Sequence, residues 1–79
     1  MTVTVYSKPH CPQCEMTRRL LDRLGVAYQT VDVAQNQAAL EYVRGLGYLQ
    51  APVVVAGDEH WSGYRPDRLK TLAAVKESA

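Results

Sequence analysis

The chain has 79 residues and a formal net charge of +1, with 47% of its residues hydrophobic and 22% charged. That length allows one small domain, here residues 1–79, near the lower limit at which a core sustains folding, and the apolar content is too high for a disordered segment. Interspersed charge of nearly zero sum argues against a nucleic-acid groove, and no apolar run approaches a membrane span, so neither nucleic acid nor membrane is an expected partner and a monomer is expected.

Phe is absent, so Leu, Val and Tyr with Trp61 must fill the core. The N-terminal residues Met1-Thr2-Val3-Thr4-Val5 have no basic region followed by an apolar stretch, so no signal peptide is read. The expected compartment is the reducing cytoplasm, where a Cys pair is more often catalytic than structural.

Residues 2–6 are β-branched and aromatic and predict a first strand. Ser7-Lys8-Pro9-His10 breaks it. From Pro12 to about Leu24 the spacing predicts a helix with Met16, Leu20, Leu21 and Leu24 on one face and Arg18, Arg19, Asp22 and Arg23 mostly opposite. Gly25 ends it. The basic cluster reads as solvated surface or as a docking face for an acidic partner. Residues 26–33 predict a second strand, parallel to the first through a right-handed crossover. Asn36 caps a second helix to about Leu46, with Ala39, Val43 and Leu46 inward. Residues 51–56 form a third strand, Gly57-Asp58-Glu59 a tight turn, and residues 60–62 a short fourth strand. Pro66 opens a last helix that packs Leu69, Leu72, Ala73 and either Val75 or the stem of Lys76 inward.

That order, β-α-β-α-β-β-α, is the minimal thioredoxin-like layout, an α/β fold with a four-stranded mixed sheet and helices on both faces. Between the first strand and first helix lie the only two cysteines, in His10-Cys11-Pro12-Gln13-Cys14. A Cys-x-x-Cys at the first turn of a strand–helix unit reads as a dithiol/disulfide redox site. Residues three apart on a helix share a face, so the two sulfurs can meet. The free N–H groups and positive dipole end of the helix point at the first sulfur and favour its thiolate. Thiols in such sites fall from about 8.5 into the range of roughly 3.5–7.5. Lys8 adds a nearby positive charge, and Pro12 suits the first helical position. Cys11 is therefore the expected exposed nucleophile and Cys14 the shielded, resolving thiol.

Cys-x-x-Cys also occurs in zinc sites. Only His10 and His60 remain as further Cys or His ligands; His10 adjoins Cys11 and is poorly placed to share its metal, and the two make no His-x-x-x-His pair. No metal site is therefore read, with a zinc or iron–sulfur module kept as the alternative from another class. A purely structural bridge across so short a loop would restrain little of the unfolded chain.

Over essentially its whole length the sequence resembles the glutaredoxin branch of the thioredoxin-like superfamily, with Lys8 before Cys11-Pro12-Gln13-Cys14 and with Gln50-Ala51-Pro52, which is similar to the family segment whose proline is cis beside the dithiol. The resemblance implies a cis Pro52 that presents the Ala51 backbone to an extended substrate strand. More narrowly, Trp61-Ser62-Gly63-Tyr64-Arg65-Pro66-Asp67 and Tyr48-Leu49-Gln50-Ala51-Pro52-Val53-Val54 resemble the NrdH-redoxins, glutaredoxin-like electron donors to class Ib ribonucleotide reductase. Pro12 departs from that group, many of whose members carry Val there.

Glutathione-using glutaredoxins place a Gly-Gly turn and acidic residues where this chain has Tyr64, Arg65 and Pro66, and losing hydrogen-bonding groups for a charged ligand costs affinity steeply. The resemblance thus implies electrons from NADPH through thioredoxin reductase, no cofactor bound to this chain, and the large subunit of the ribonucleotide reductase as the protein reduced. A glutathione-dependent glutaredoxin, favoured by Lys8 and Pro12, is the runner-up. Trp61 and Tyr64 can equally be packing under the last helix, and Arg65 can pair with Asp67.

Overall fold

The computed structural model describes residues 2–78, with side chains through Ala74. Its elements are β1 (Val3–Ser7), α1 (Pro12–Leu24), β2 (Gln29–Asp32), α2 (Gln37–Gly45), β3 (Val53–Ala56), β4 (Glu59–Ser62) and α3 (Pro66–Ser78). The sheet runs β2-β1-β3-β4. β1 and β2 are parallel, and β3 is antiparallel to both β1 and β4. The expected element order and mixed sheet are realised.

Alternation along each strand sorts the residues between two faces. Val3 and Val5 of β1, Val54 and Ala56 of β3 and Trp61 of β4 meet Leu20 and Leu21 of α1 and Leu69 and Leu72 of α3 in one core. Tyr6, on the opposite face, meets Tyr42 of α2 with ring centroids 5.7 Å apart. The helices therefore cover both faces. The register sets Tyr6 opposite Val53, and Val53 opposite Ser62. The chain leaving β1, the chain entering β3 and the chain leaving β4 consequently gather at one end of the sheet.

Several elements differ in detail from the sequence expectation. Met16 is 47% exposed, whereas Thr17 is fully buried. The buried stripe of α1 runs through Cys14, Thr17, Leu20 and Leu21, and Met16 falls at its margin. Thr17 is tolerated inside because its hydroxyl donates to the Gln13 carbonyl at 2.8 Å. β2 begins at Gln29 rather than Val26. Val26 instead closes α1: Gly25 is left-handed and its N–H reaches the Asp22 carbonyl, while the Val26 N–H reaches the Leu21 carbonyl at 3.0 Å. Val26 and Leu21 both join the core, the apolar contact that accompanies such a helix end.

α2 starts as expected, with the Asn36 carboxamide oxygen accepting the Ala39 N–H at 3.0 Å. It ends at Gly45, with Leu46 half-buried and Gly47 at φ 96°. β3 starts at Val53, two residues later than expected, and β4 at Glu59, one earlier. In α3, Leu69 and Leu72 are buried and Ala73 packs at the edge of the core; the expected choice between Val75 and Lys76 lies outside the described side chains.

Candidate redox site

Lys8, Pro9 and His10 carry the chain from the end of β1 to α1. His10 has φ 57°, a left-handed conformation that costs a residue with a Cβ about 1–2 kcal/mol. Such strain persists only where the surroundings enforce it, often at functional sites. The turn it makes delivers Cys11 as the N-cap of α1, with extended backbone at φ −121° and ψ 97°. Pro12 takes the first helical position. The Cys11 Sγ accepts the Cys14 N–H at 3.2 Å, so the sulfur does what a Ser or Asp oxygen does at an ordinary N-cap. Cys11 and Cys14 form a disulfide with Cα atoms 5.2 Å apart.

Cys14 is fully buried and Cys11 only 9% exposed. The expected order of accessibility holds, but Cys11 is more covered than an exposed nucleophile was expected to be. The cover is the segment before β3: the Ala51–Pro52 peptide bond is cis, and the Cys11 Sγ lies 3.8 Å from the Ala51 carbonyl oxygen. What stays open is a shallow depression of about 260 Å³ lined by His10, Cys11, Pro12 and Glu15.

Residues 62–64 fasten the Pro52 segment and α1 together. The Ser62 hydroxyl donates to the Gln50 carbonyl at 2.9 Å. The Gly63 N–H donates to the Pro52 carbonyl at 2.8 Å, and the Tyr64 N–H to the Gln13 Oε1 at 3.2 Å. Gln13, Ala51, Pro52, Ser62, Gly63 and the Tyr64 backbone are thus brought together around the cysteines. Trp61 and Arg65 are not. Trp61 is 4% exposed within the core, with the Arg68 guanidinium 4.9 Å from its ring centroid. Arg65 makes two hydrogen bonds to the Asp67 carboxylate, at 3.2 and 3.0 Å. The hydrogen bond from Arg65 holds the Asp67 carboxyl below its usual value, and Asp67 in turn raises the Arg65 guanidinium.

Lys8 is exposed and lines a groove of about 130 Å³ on the α2 side, with Tyr6, Leu40, Val43, Arg44 and Ala51 among its other walls. Ala51 thus borders the groove and contacts the dithiol. Arg44 of this groove was not anticipated from sequence, since a last-turn arginine is ordinary helix chemistry. Nor was the contact between Tyr48 and His60, whose side chains meet across twelve residues with no periodic signal. Among the described residues no group of three or more His, Cys, Asp or Glu is placed to hold a metal ion. No helix among them is long and apolar enough to cross a membrane.

The glutaredoxin family profile matches residues 3–61. The chain is 37% identical over 79 residues to the glutaredoxin-like protein NrdH of Escherichia coli K12, covering all of this chain and 98% of that one. It is 37% identical over 71 residues to the NrdH of Lactococcus lactis subsp. cremoris, covering 90% and 99%. The chain belongs to the glutaredoxin family, in its NrdH-redoxin branch. Its fold superposes on the solved E. coli NrdH-redoxin, a glutaredoxin-like protein with a thioredoxin-like activity profile, with a TM-score of 0.89 at 39% identity over 91% of this chain and 95% of that one. As an NrdH-type glutaredoxin it is a thiol–disulfide oxidoreductase, and its Cys11 and Cys14 are joined in a disulfide.

Proposed function

We propose that this protein donates electrons to class Ib ribonucleotide reductase, through a disulfide on its large subunit, and is itself re-reduced by flavin-dependent thioredoxin reductase at the expense of NADPH. It does so in the cytoplasm as a monomer and holds no cofactor of its own. The Cys11 thiolate, stabilised by the Cys14 N–H and the start of α1, attacks the substrate disulfide. A Cys11–S bond forms, the substrate S–S bond breaks, and one substrate sulfur leaves as a thiolate that takes up a proton. Cys14, having lost its proton, attacks the Cys11 sulfur; the mixed disulfide breaks and the second substrate thiolate leaves. Two electrons pass to the substrate, and the Cys11–Cys14 disulfide remains. The direction follows relative potentials, with about 30 mV equal to a factor of ten. Ala51 and Pro52 present backbone to an extended substrate strand beside the sulfurs, and Lys8, Pro12 and Gln13 frame them.

The observation that carries the reading against glutathione is the state of residues 63–65. The Tyr64 N–H is committed to Gln13 and the Arg65 guanidinium to Asp67. Neither leaves the arrangement of a free turn and acidic groups that grips a tripeptide in glutathione-using relatives. The groove favours the opposite outcome in one respect, since Lys8 and Arg44 offer cations to a peptide carboxylate beside Ala51.

NADPH consumption with a disulfide substrate separates the two. Turnover with thioredoxin reductase, and none with glutathione plus glutathione reductase, is expected. Turnover driven by glutathione would assign the chain to the glutathione-dependent glutaredoxins instead. Reduction of a class Ib ribonucleotide reductase, followed by its deoxynucleotide output, tests the electron acceptor.

A further inference from the structure

The loop between α2 and β3 carries the backbone that covers Cys11, yet among the described residues few hydrogen bonds hold it. Leu49 at its tip is 87% exposed. Among the described residues, residues 48–51 are tied to the rest of the chain by the Tyr48 N–H to the Val43 carbonyl, the Ser62 hydroxyl to the Gln50 carbonyl, the contact of the Cys11 Sγ with the Ala51 carbonyl, and a pair between Tyr48 and His60. The Tyr48 hydroxyl lies 2.7 Å from the His60 Nδ1 and 3.3 Å from the His60 carbonyl oxygen. The rings meet edge to face with centroids 5.5 Å apart, a favoured geometry for two π systems. His60 is itself fixed, because β4 pairs it with Val55 of β3.

We propose that Tyr48 and His60 are positioning residues for substrate binding: they latch the Gln50-Ala51 backbone to β4 so that it is ready for an incoming strand. This rests on reading residues 50–52 as the surface that takes that strand. An unlatched loop would have to be ordered by each substrate on arrival, and pre-ordering removes that cost from binding. The hydroxyl has one proton and two acceptors within reach. With a proton on Nδ1, the ring donates to the hydroxyl oxygen and the hydroxyl donates to the carbonyl, so every group is satisfied. With Nδ1 bare, the hydroxyl donates to the ring. The latch therefore closes in either tautomer, and neither residue reaches the sulfurs or is needed for exchange itself.

The test compares a large and a small disulfide: insulin, turned over by the full chain with dithiothreitol as the final reductant, and 5,5′-dithiobis(2-nitrobenzoate), reduced in a single turnover by the pre-reduced full chain freed of dithiothreitol, which would otherwise reduce it directly. Insulin offers a polypeptide flanking its disulfide, and 5,5′-dithiobis(2-nitrobenzoate) offers none. In Tyr48→Phe and His60→Leu, KM for insulin is expected to rise about three- to tenfold, the loss expected for one net hydrogen bond. The kcat with insulin and the rate with the small disulfide should stay within about twofold of the parent, and the latch predicts no shift in the redox potential. His60→Asn, which keeps a polar atom near the Nδ1 position, should restore most of the lost affinity. Equal losses on both substrates, or an unchanged KM for insulin, would overturn the latch. Backbone order parameters of Leu49, Gln50 and Ala51 give a second readout: they should fall in Tyr48→Phe, and unchanged values overturn the proposal too. If the unmodified protein bound insulin no better than the small disulfide, the strand-docking reading would fail, and this one with it.

Discussion

Gly63→Ala isolates what the turn after β4 contributes to the site. Gly63 has φ +90°, and a Cβ built there would meet only the Gln13 Oε1 at 3.6 Å, an ordinary contact. The penalty is therefore conformational and not steric. Holding a residue with a Cβ in such a sparsely populated region costs about 1–3 kcal/mol. The smaller unfolded-state entropy of Ala returns about 0.4–1 kcal/mol, leaving a net loss near 1 kcal/mol. For a domain of this size that lowers Tm by about 4–8 °C. Gly47 provides the control: its φ is +96° with nothing within 4 Å of a built Cβ, so Gly47→Ala should lose a similar amount. The two should part in activity, because the Gly63 N–H holds the Pro52 carbonyl and the adjacent Tyr64 N–H holds Gln13. Thermal unfolding followed by circular dichroism, with insulin reduction on the same samples, reads both quantities. An unchanged or raised Tm in Gly63→Ala would refute the strain argument, and equal activity in the two variants would refute the link to the site.

Cys14→Ser should accumulate a mixed disulfide between Cys11 and a protein substrate, seen as an adduct on non-reducing gels and lost with dithiothreitol. Cys11→Ser should capture nothing, because Cys14 is fully buried; equal trapping by both would break the role assignment. The Arg65–Asp67 pair should leave a mark on acid stability. Asp67 binds its proton less tightly when folded than at its unfolded value near 3.8, chiefly because Arg65 hydrogen-bonds the carboxylate. Its contribution is thus present above that value and lost as pH falls through the lower folded one. Urea unfolding across the acid range should show a shallower loss of stability in Asp67→Asn than in the parent, and the same slope in both would remove the pair from the account.

The local signals in the chain fixed a good deal. Pro12, the N-capping Cys11 and the left-handed Gly25 bound α1 where the sequence placed it, and Asn36 and Pro66 open the other two helices as expected, because caps act within one turn of their own residue. The Cys-x-x-Cys motif and residues 61–67 were legible for the same reason: each is a contiguous string whose meaning does not depend on distant partners. Where local signals competed, pattern alone erred. Val26 reads as strand by its side chain but serves as the apolar closure of α1, and Met16 reads as inward but lies exposed, while Thr17 is buried with its hydroxyl on a carbonyl one turn back.

What the tertiary structure alone decided is which separated strings meet. The register that sets Tyr6 beside Val53 and Val53 beside Ser62 is a property of the whole sheet, and no single segment encodes it. From it follow the Ala51 carbonyl against Cys11, the Tyr64 N–H against Gln13 across 51 residues, the near-complete cover over Cys11, and the Tyr48–His60 contact that braces the loop. The sequence by itself determined the chemistry of the dithiol and the branch of the family, since those reside in side chains and their spacing along the chain. How far each sulfur is shielded, and what holds the backbone beside it, depended on long-range pairing, where contact is set by the packing of elements and not by distance along the chain.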